Sequence, residues 1–152
     1  MHSTRLLSTL LIAVLLASGA MVFLSCSKEG KETAAGGDEL KWFLTYDEAM
    51  EEAKEKNRPV LIDFYTDWCS WCKQLDRTTY SDPAVVRKGE EFVSLKIDAD
   101  DQRPLAARYK VGAFPTILFI NPEGIEIHRV VGFRPPEDFL KEMDTALGAF
   151  RK

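Results

Sequence analysis

Cys69 and Cys72 stand three residues apart in "TDWCSWCK", Thr66 to Lys73, each preceded by a tryptophan, Trp68 and Trp71. Two thiols at that spacing suit four kinds of chemistry: a dithiol–disulfide couple, half of a metal site, a haem attachment, or none, as two small hydrophobes in a core. Haem attachment requires a histidine directly after the second cysteine, and Lys73 occupies that place. A closed structural zinc needs four protein ligands. His128 is the one histidine outside the leader, so a zinc site within the chain is not expected, whereas a copper(I) site of Cys69, Cys72 and His128 remains open on ligand softness. His128 itself alternates with Ile125 and Ile127 beside Glu126 and reads as a solvated strand histidine.

Position argues against an inert pair. The cysteines open a predicted helix that runs to about Tyr80. There, unpaired backbone N–H groups and the positive dipole end favour a thiolate over a thiol. Cys69, nearest that end, is expected to be the nucleophile, with a pKa below the roughly 8.5 of a free cysteine. Cys72, three residues on, lies on the same helical face one turn inward, where it can attack a mixed disulfide formed by Cys69.

Elements able to position such a pair can be read along the chain. A capping box of Thr45 and Glu48 opens a helix ending near Asn57, with Tyr46, Ala49, Met50 and Ala53 on one face. "PVLIDFYT" follows as an apolar run typical of a central strand covered on both faces, and Asp63 in its middle is the anomaly. After the cysteine helix, Asp82 and Pro83 start a short helical segment. Phe92 to Asp98 reads as a strand, and "DQRPLAARYK" as a helix with Leu105, Ala106 and Tyr109 inside. "TILFI" and "IEIHRVV" form a hairpin about a type I turn at "NPEG". The last helix, from about Pro136 to Phe150, carries Phe139, Leu140, Met143, Leu147 and Phe150 as an apolar stripe. The order α-β-α-β-α-β-β-α implies an α/β domain with a mixed sheet and helices on both faces.

The 152 residues, 45% hydrophobic and 29% charged, suffice for one domain with a real core. A formal net charge of −4 argues against nucleic acid as a partner. Residues 1–25 read as an export signal, with Arg5 followed by no charge until Lys28. A retained membrane anchor and plain cleavage after Ala20 are the alternatives to the favoured outcome, because "VFLSC" resembles the lipobox of bacterial lipoproteins, whose cysteine, here Cys26, is lipidated. Lipidation would also resolve the odd count of three cysteines. Residues 26–40 then form the lipidation site and a Gly-rich tether with a reach of roughly 20 Å, and 41–152 the domain. All three outcomes place the domain outside the cytoplasm, where disulfides form and persist.

Taken together, "LIDFYTDWCSWCK" is similar to the active-site strand and helix of the thioredoxin superfamily, and "VGAFPT" to the loop carrying that superfamily's cis-proline. With Leu75, Asp76, "SDP" and "GAFPTILFINPEG", the chain looks most like the C-terminal domain of DsbD-type thiol:disulfide interchange proteins and their single-domain periplasmic relatives. The resemblance covers about Trp42 to Phe150. It implies a thioredoxin-like fold and a periplasmic thiol:disulfide oxidoreductase that uses Cys69 and Cys72 and no cofactor; with the lipobox-like leader, the expectation is a lipid-anchored disulfide reductase. Its expected partners are protein disulfide substrates and a membrane-borne dithiol electron donor. It also implies roles for other residues: Asp63 beneath Cys72 as proton acceptor, Asp76 as a second acid near the pair, and Pro115 as the cis-proline. Ala113 and Phe114 would offer backbone to an extended substrate, and Trp68 and Trp71 an apolar docking rim, with core packing the other reading of Trp68. Two departures stand out. Ser70-Trp71 replaces the Gly-Pro of cytoplasmic thioredoxin, and no multi-spanning membrane domain accompanies the motif.

Overall fold

The computed structural model describes residues 39–152, so the leader, Cys26 and the tether up to residue 38 lie outside the described residues. The elements are β1 (Trp42–Phe43), α1 (Tyr46–Lys56), β2 (Val60–Tyr65), α2 (Ser70–Thr78), α3 (Pro83–Gly89), β3 (Val93–Asp98), α4 (Arg103–Arg108), β4 (Thr116–Ile120), β5 (Glu126–Val131) and α5 (Pro136–Phe150). Every element of the sequence reading is present. β1 is the addition: it pairs in parallel with β3 over Trp42↔Ser94 and Phe43↔Leu95, and two residues are too few to show a period. Leu40, assigned to the tether by its neighbours' composition, is buried in the core, in close approach to Gly89.

The sheet runs β1-β3-β2-β4-β5, with β2 parallel to β3 and antiparallel to β4, and β5 antiparallel to β4. The central position of β2 explains its unbroken apolar character, since both faces are covered. Ile62 and Phe64 face Ala49, Met50 and Ala53 of α1 and Ala106 of α4. On the opposite face, Leu61, Ile117 and Phe119 pack against Leu75 of α2, Val85 of α3, and Phe139, Met143, Ala146 and Leu147 of α5. Strand alternation places Asp63 on this second face with Leu61. A fully buried apolar side chain contributes roughly 1.5–3 kcal/mol relative to exposure. A carboxyl in that layer forgoes this gain and adds a desolvation cost.

Local signals hold with one exception. Asp82 caps α3, its Oδ1 accepting from the amides of Ala84 at 2.8 Å and Val85 at 3.3 Å. The hairpin turn closes through Gly124 N–H donating to the Asn121 carbonyl at 2.9 Å, with Gly124 at φ +79°, a conformation that favours glycine. The Thr45 capping box does not form: the Thr45 hydroxyl donates to the Glu48 carboxylate and leaves the backbone amides of α1 without a side-chain cap. Satisfying each other, the two side chains compete with the cap.

Candidate active site

β2 ends at Tyr65, and the turn that follows is closed by Cys69 N–H donating to the Thr66 carbonyl at 3.1 Å. α2 begins at Ser70, so Cys69 is its N-cap residue and lies just outside the helix. Its sulfur does what a capping oxygen does elsewhere, accepting from the Cys72 amide at 3.1 Å. Cys69 and Cys72 form a disulfide with Cα atoms 5.3 Å apart. Cys69 is 5% exposed and Cys72 2%, so only the edge of the bond meets solvent. An anionic Cys69 sulfur in this place would face the same amide and the helix's positive end, and charge on the acceptor strengthens such a bond.

The two tryptophans are surface residues, 70% exposed for Trp68 and 59% for Trp71, which removes the core-packing reading of Trp68. Trp68 meets Phe114 edge-on with centroids 5.8 Å apart, and its Nε1 donates to Asp100 at 2.9 Å. Trp71 lies against Phe133 at 5.7 Å. The Trp68–Phe114 contact brings the 113–115 loop to the cysteine segment, and the Phe114–Pro115 peptide bond is cis. Ala113 is exposed, Phe114 half-buried and Pro115 buried. The Ala113 carbonyl already accepts from the Thr116 hydroxyl at 2.8 Å.

Asp63 has no exposed surface, and neither of its oxygens has a hydrogen-bond partner. Burial pushes its carboxyl up to about 7, against the opposing pull of Lys96 and with a smaller push from Asp76. A carboxyl half-ionised near neutrality can both take and return a proton at working pH.

Lys96 is the residue that sequence reasoning missed. It sits opposite Asp63 in the β2–β3 register, with Nζ 3.5 Å from Asp63 Oδ2, and it also ion-pairs with Asp76. The rings of Trp42, Tyr65 and Tyr80 surround its ammonium, with centroids 5.2, 5.2 and 5.6 Å away. Asp63 and Asp76 are therefore joined through one cation. The signal was available: "FVSLKID" sets a lysine in an otherwise apolar strand, the same anomaly as Asp63 in "VLIDFY". Asp67 is exposed.

His128 does not join this site. Its Nε2 lies 2.6 Å from Glu142 Oε2 and its ring stacks on Phe119 at 5.7 Å, so it is half-buried and paired rather than freely solvated. Among the described residues no group of three His, Cys, Asp or Glu side chains is placed to hold a metal ion. The Cys-Cys-His copper(I) arrangement is thus not assembled.

Comparison with known proteins agrees with this geometry. Residues 46–147 match the family described as a thioredoxin-like domain. The chain is 39% identical over 107 residues to the thiol:disulfide interchange protein DsbD of Ralstonia nicotianae, a match covering 67% of this chain and 18% of that protein. It is 37% identical over 98 residues to DsbD of Vibrio vulnificus, covering 60% and 16%. The chain thus spans less than a fifth of the length of these curated relatives. Among solved structures, a thioredoxin from Thermus thermophilus superposes with a TM-score of 0.66 at 34% identity, covering 72% of this chain and 88% of that one. The DsbH oxidoreductase superposes with a TM-score of 0.65 at 25% identity, covering 72% and 85%. The family match takes in β2 to β5 and the Cys69–Cys72 pair, and on that ground the chain belongs to the thioredoxin-like family.

Proposed function

We propose that the protein is a reductase of protein disulfides on the periplasmic side of a bacterial membrane, held there by lipid on Cys26. The observation that carries the catalytic part is the Cys69 sulfur at the N-cap of α2, in a disulfide with Cys72 and on the strand–helix unit that buries Asp63. In the reduced protein, the Cys69 thiolate attacks a substrate disulfide. A mixed disulfide forms and one substrate thiolate leaves. Cys72 then gives its proton to Asp63 and attacks the Cys69 sulfur, which frees the second substrate thiolate and closes the Cys69–Cys72 disulfide. Two electrons pass to the substrate, and a membrane-borne dithiol restores them. The leader, the lipobox-like "VFLSC" and the similarity to DsbD support the location; among the described residues no helix is long and apolar enough to cross a membrane.

Capture of partners tests the cysteine roles. Cys72→Ala should accumulate mixed disulfides in cells, resolved on non-reducing gels and mapped by mass spectrometry to Cys69, while Cys69→Ala should trap none. Adducts on Cys72 in the Cys69→Ala protein would reverse the assignment.

Substrate docking falls to the aromatic rim of Trp68 and Trp71 and to the loop of Ala113, Phe114 and Pro115. With the Ala113 carbonyl occupied by Thr116, the Phe114 peptide is the better place for an extended chain to pair. Exposed aromatic anchors are typical hot spots, worth about 1–2 kcal/mol or more each. Trp68→Ala and Trp71→Ala should each raise KM for a protein disulfide by roughly five- to thirtyfold and leave the rate with a small disulfide such as oxidised glutathione nearly unchanged. Equal losses on both substrates would assign the tryptophans to the chemistry instead.

A further inference from the structure

Among the described residues, four buried side-chain atoms lack a hydrogen-bond partner: both Asp63 oxygens and the hydroxyls of Thr66 and Tyr80. Leaving a buried polar group unpaired costs roughly 1–3 kcal/mol, so each such group needs a reason. Tyr80 is 3% exposed, and its ring is fixed edge-on by Trp42 at 4.9 Å and Phe139 at 5.6 Å. Lys96 Nζ, 3.5 Å from Asp63 Oδ2 and 5.6 Å from the centre of the Tyr80 ring, brings the phenol and the carboxyl to one place, and neither has a hydrogen-bond partner of ordinary geometry.

The groups facing Asp63 are few. Lys96 comes from β3, Asp76 from α2, Tyr80 from the segment after α2, and Tyr65 from its own strand, while β4 sets Ile117 opposite. Lys96, Tyr80 and Tyr65 carry donors in this set; Lys96 is shared with Asp76, and Tyr65 is half-buried with Asp67 and Asp98 also near it. Tyr80 is therefore the buried phenol facing Asp63 whose hydroxyl has no other partner. Behind them lies a recess of about 210 Å³ lined by Glu39, Trp42, Asp76, Tyr80, Ser81 and Lys96. None of the rim residues Trp68, Trp71 and Phe114 lines it.

We infer that Tyr80 is a positioning residue of the site: its hydroxyl donates to the ionised carboxylate of Asp63, keeps that carboxylate ready to take the Cys72 proton, and stands beside the recess through which the proton passes to water. The inference rests on the proposed role of Asp63 as acceptor. Tyr80→Phe removes the hydroxyl and retains the ring contacts with Trp42 and Phe139. Carboxyl carbon NMR should show the Asp63 midpoint raised by at least about half a unit in this variant. Release of a trapped mixed disulfide, followed against pH, should show its acid limb moved upward by the same amount, roughly three- to tenfold slower on the limb at pH 7 and equal to wild type at pH 9. A packing role alone would slow release at every pH and leave the Asp63 midpoint in place, and that result overturns the inference. Asp63→Asn separates the two readings. If its acid limb disappears while that of Tyr80→Phe stays at the wild-type position, the Tyr80 inference alone fails. If Asp63→Asn keeps the wild-type limb, the acceptor role fails and the inference falls with it.

Discussion

Asp63→Asn should make the oxidised protein more stable at pH 8 while slowing its release of a trapped partner. The folded carboxyl titrates at about 7 against an ordinary value of 3.8, so between those values the folded state binds more protons than the unfolded state. Stability contributed by the protonated group is therefore complete below about pH 4 and is lost as pH rises through 7. About three units at about 1.4 kcal/mol each bound the loss at about 4 kcal/mol. Asparagine carries no such penalty. Urea midpoints of the two proteins should coincide near pH 4 and diverge as pH rises, the variant lying higher by up to a few kcal/mol at pH 8. Lys96 keeps Asp76 as partner in the variant, which limits the loss on its side. General-base assistance is typically worth 10²–10⁴, so release of the mixed disulfide at pH 7 should fall by roughly a hundredfold and recover as Cys72 ionises unaided at higher pH. Parallel urea midpoints at all pH values together with unchanged release would remove Asp63 from the mechanism.

That Asp63 is out of place in its strand was legible in the sequence, and how it is balanced was not. A carboxylate inside "VLIDFY" contradicts the burial that the rest of the strand announces, and such a local conflict marks a site. The strands, the long helices and the parallel-then-antiparallel order were likewise readable, because each carries a period or an unbroken apolar run with a recognisable stop. The cysteine pair was readable from spacing and from its place before a helix. What escaped depends on register. Lys96 acquires meaning only when β3 lies beside β2 with Asp63↔Lys96 opposed, and Tyr80 only when the chain after α2 folds back under that pair. β1 escaped for lack of length, and the Thr45 cap because two side chains that can each satisfy the helix end can also satisfy each other. His128 read correctly as a strand residue but its partner, Glu142, comes from α5, fourteen positions away, which no local pattern encodes.

The reduction potential of the Cys69–Cys72 pair should lie closer to thioredoxin's, about −270 mV, than to DsbA's, about −120 mV. A strongly oxidising disulfide requires that the reduced form be stabilised, above all its thiolate. The N-cap position and the Cys72 amide work in that direction here. The neighbouring charges do not add to it. Ser70 and Trp71 between the cysteines bring neither histidine nor arginine, Asp67 precedes Cys69 by two residues, Lys73 after Cys72 is exposed to solvent, and Lys96 is shared between Asp63 and Asp76. With Asp63 protonated that cluster is neutral, and with Asp63 ionised it carries one net negative charge, so in neither state does it attract an anionic sulfur. The two reference potentials differ by about 150 mV, or about five powers of ten in the equilibrium constant at about 30 mV per decade, well beyond the precision of a redox titration. Equilibration against glutathione or dithiothreitol, read by thiol alkylation or by the fluorescence of Trp68 and Trp71, gives the value. A potential near −120 mV would turn the proposed reductase into an oxidase, because electrons would then flow from substrate thiols into the pair, while the fold and the division of labour between Cys69 and Cys72 would stand.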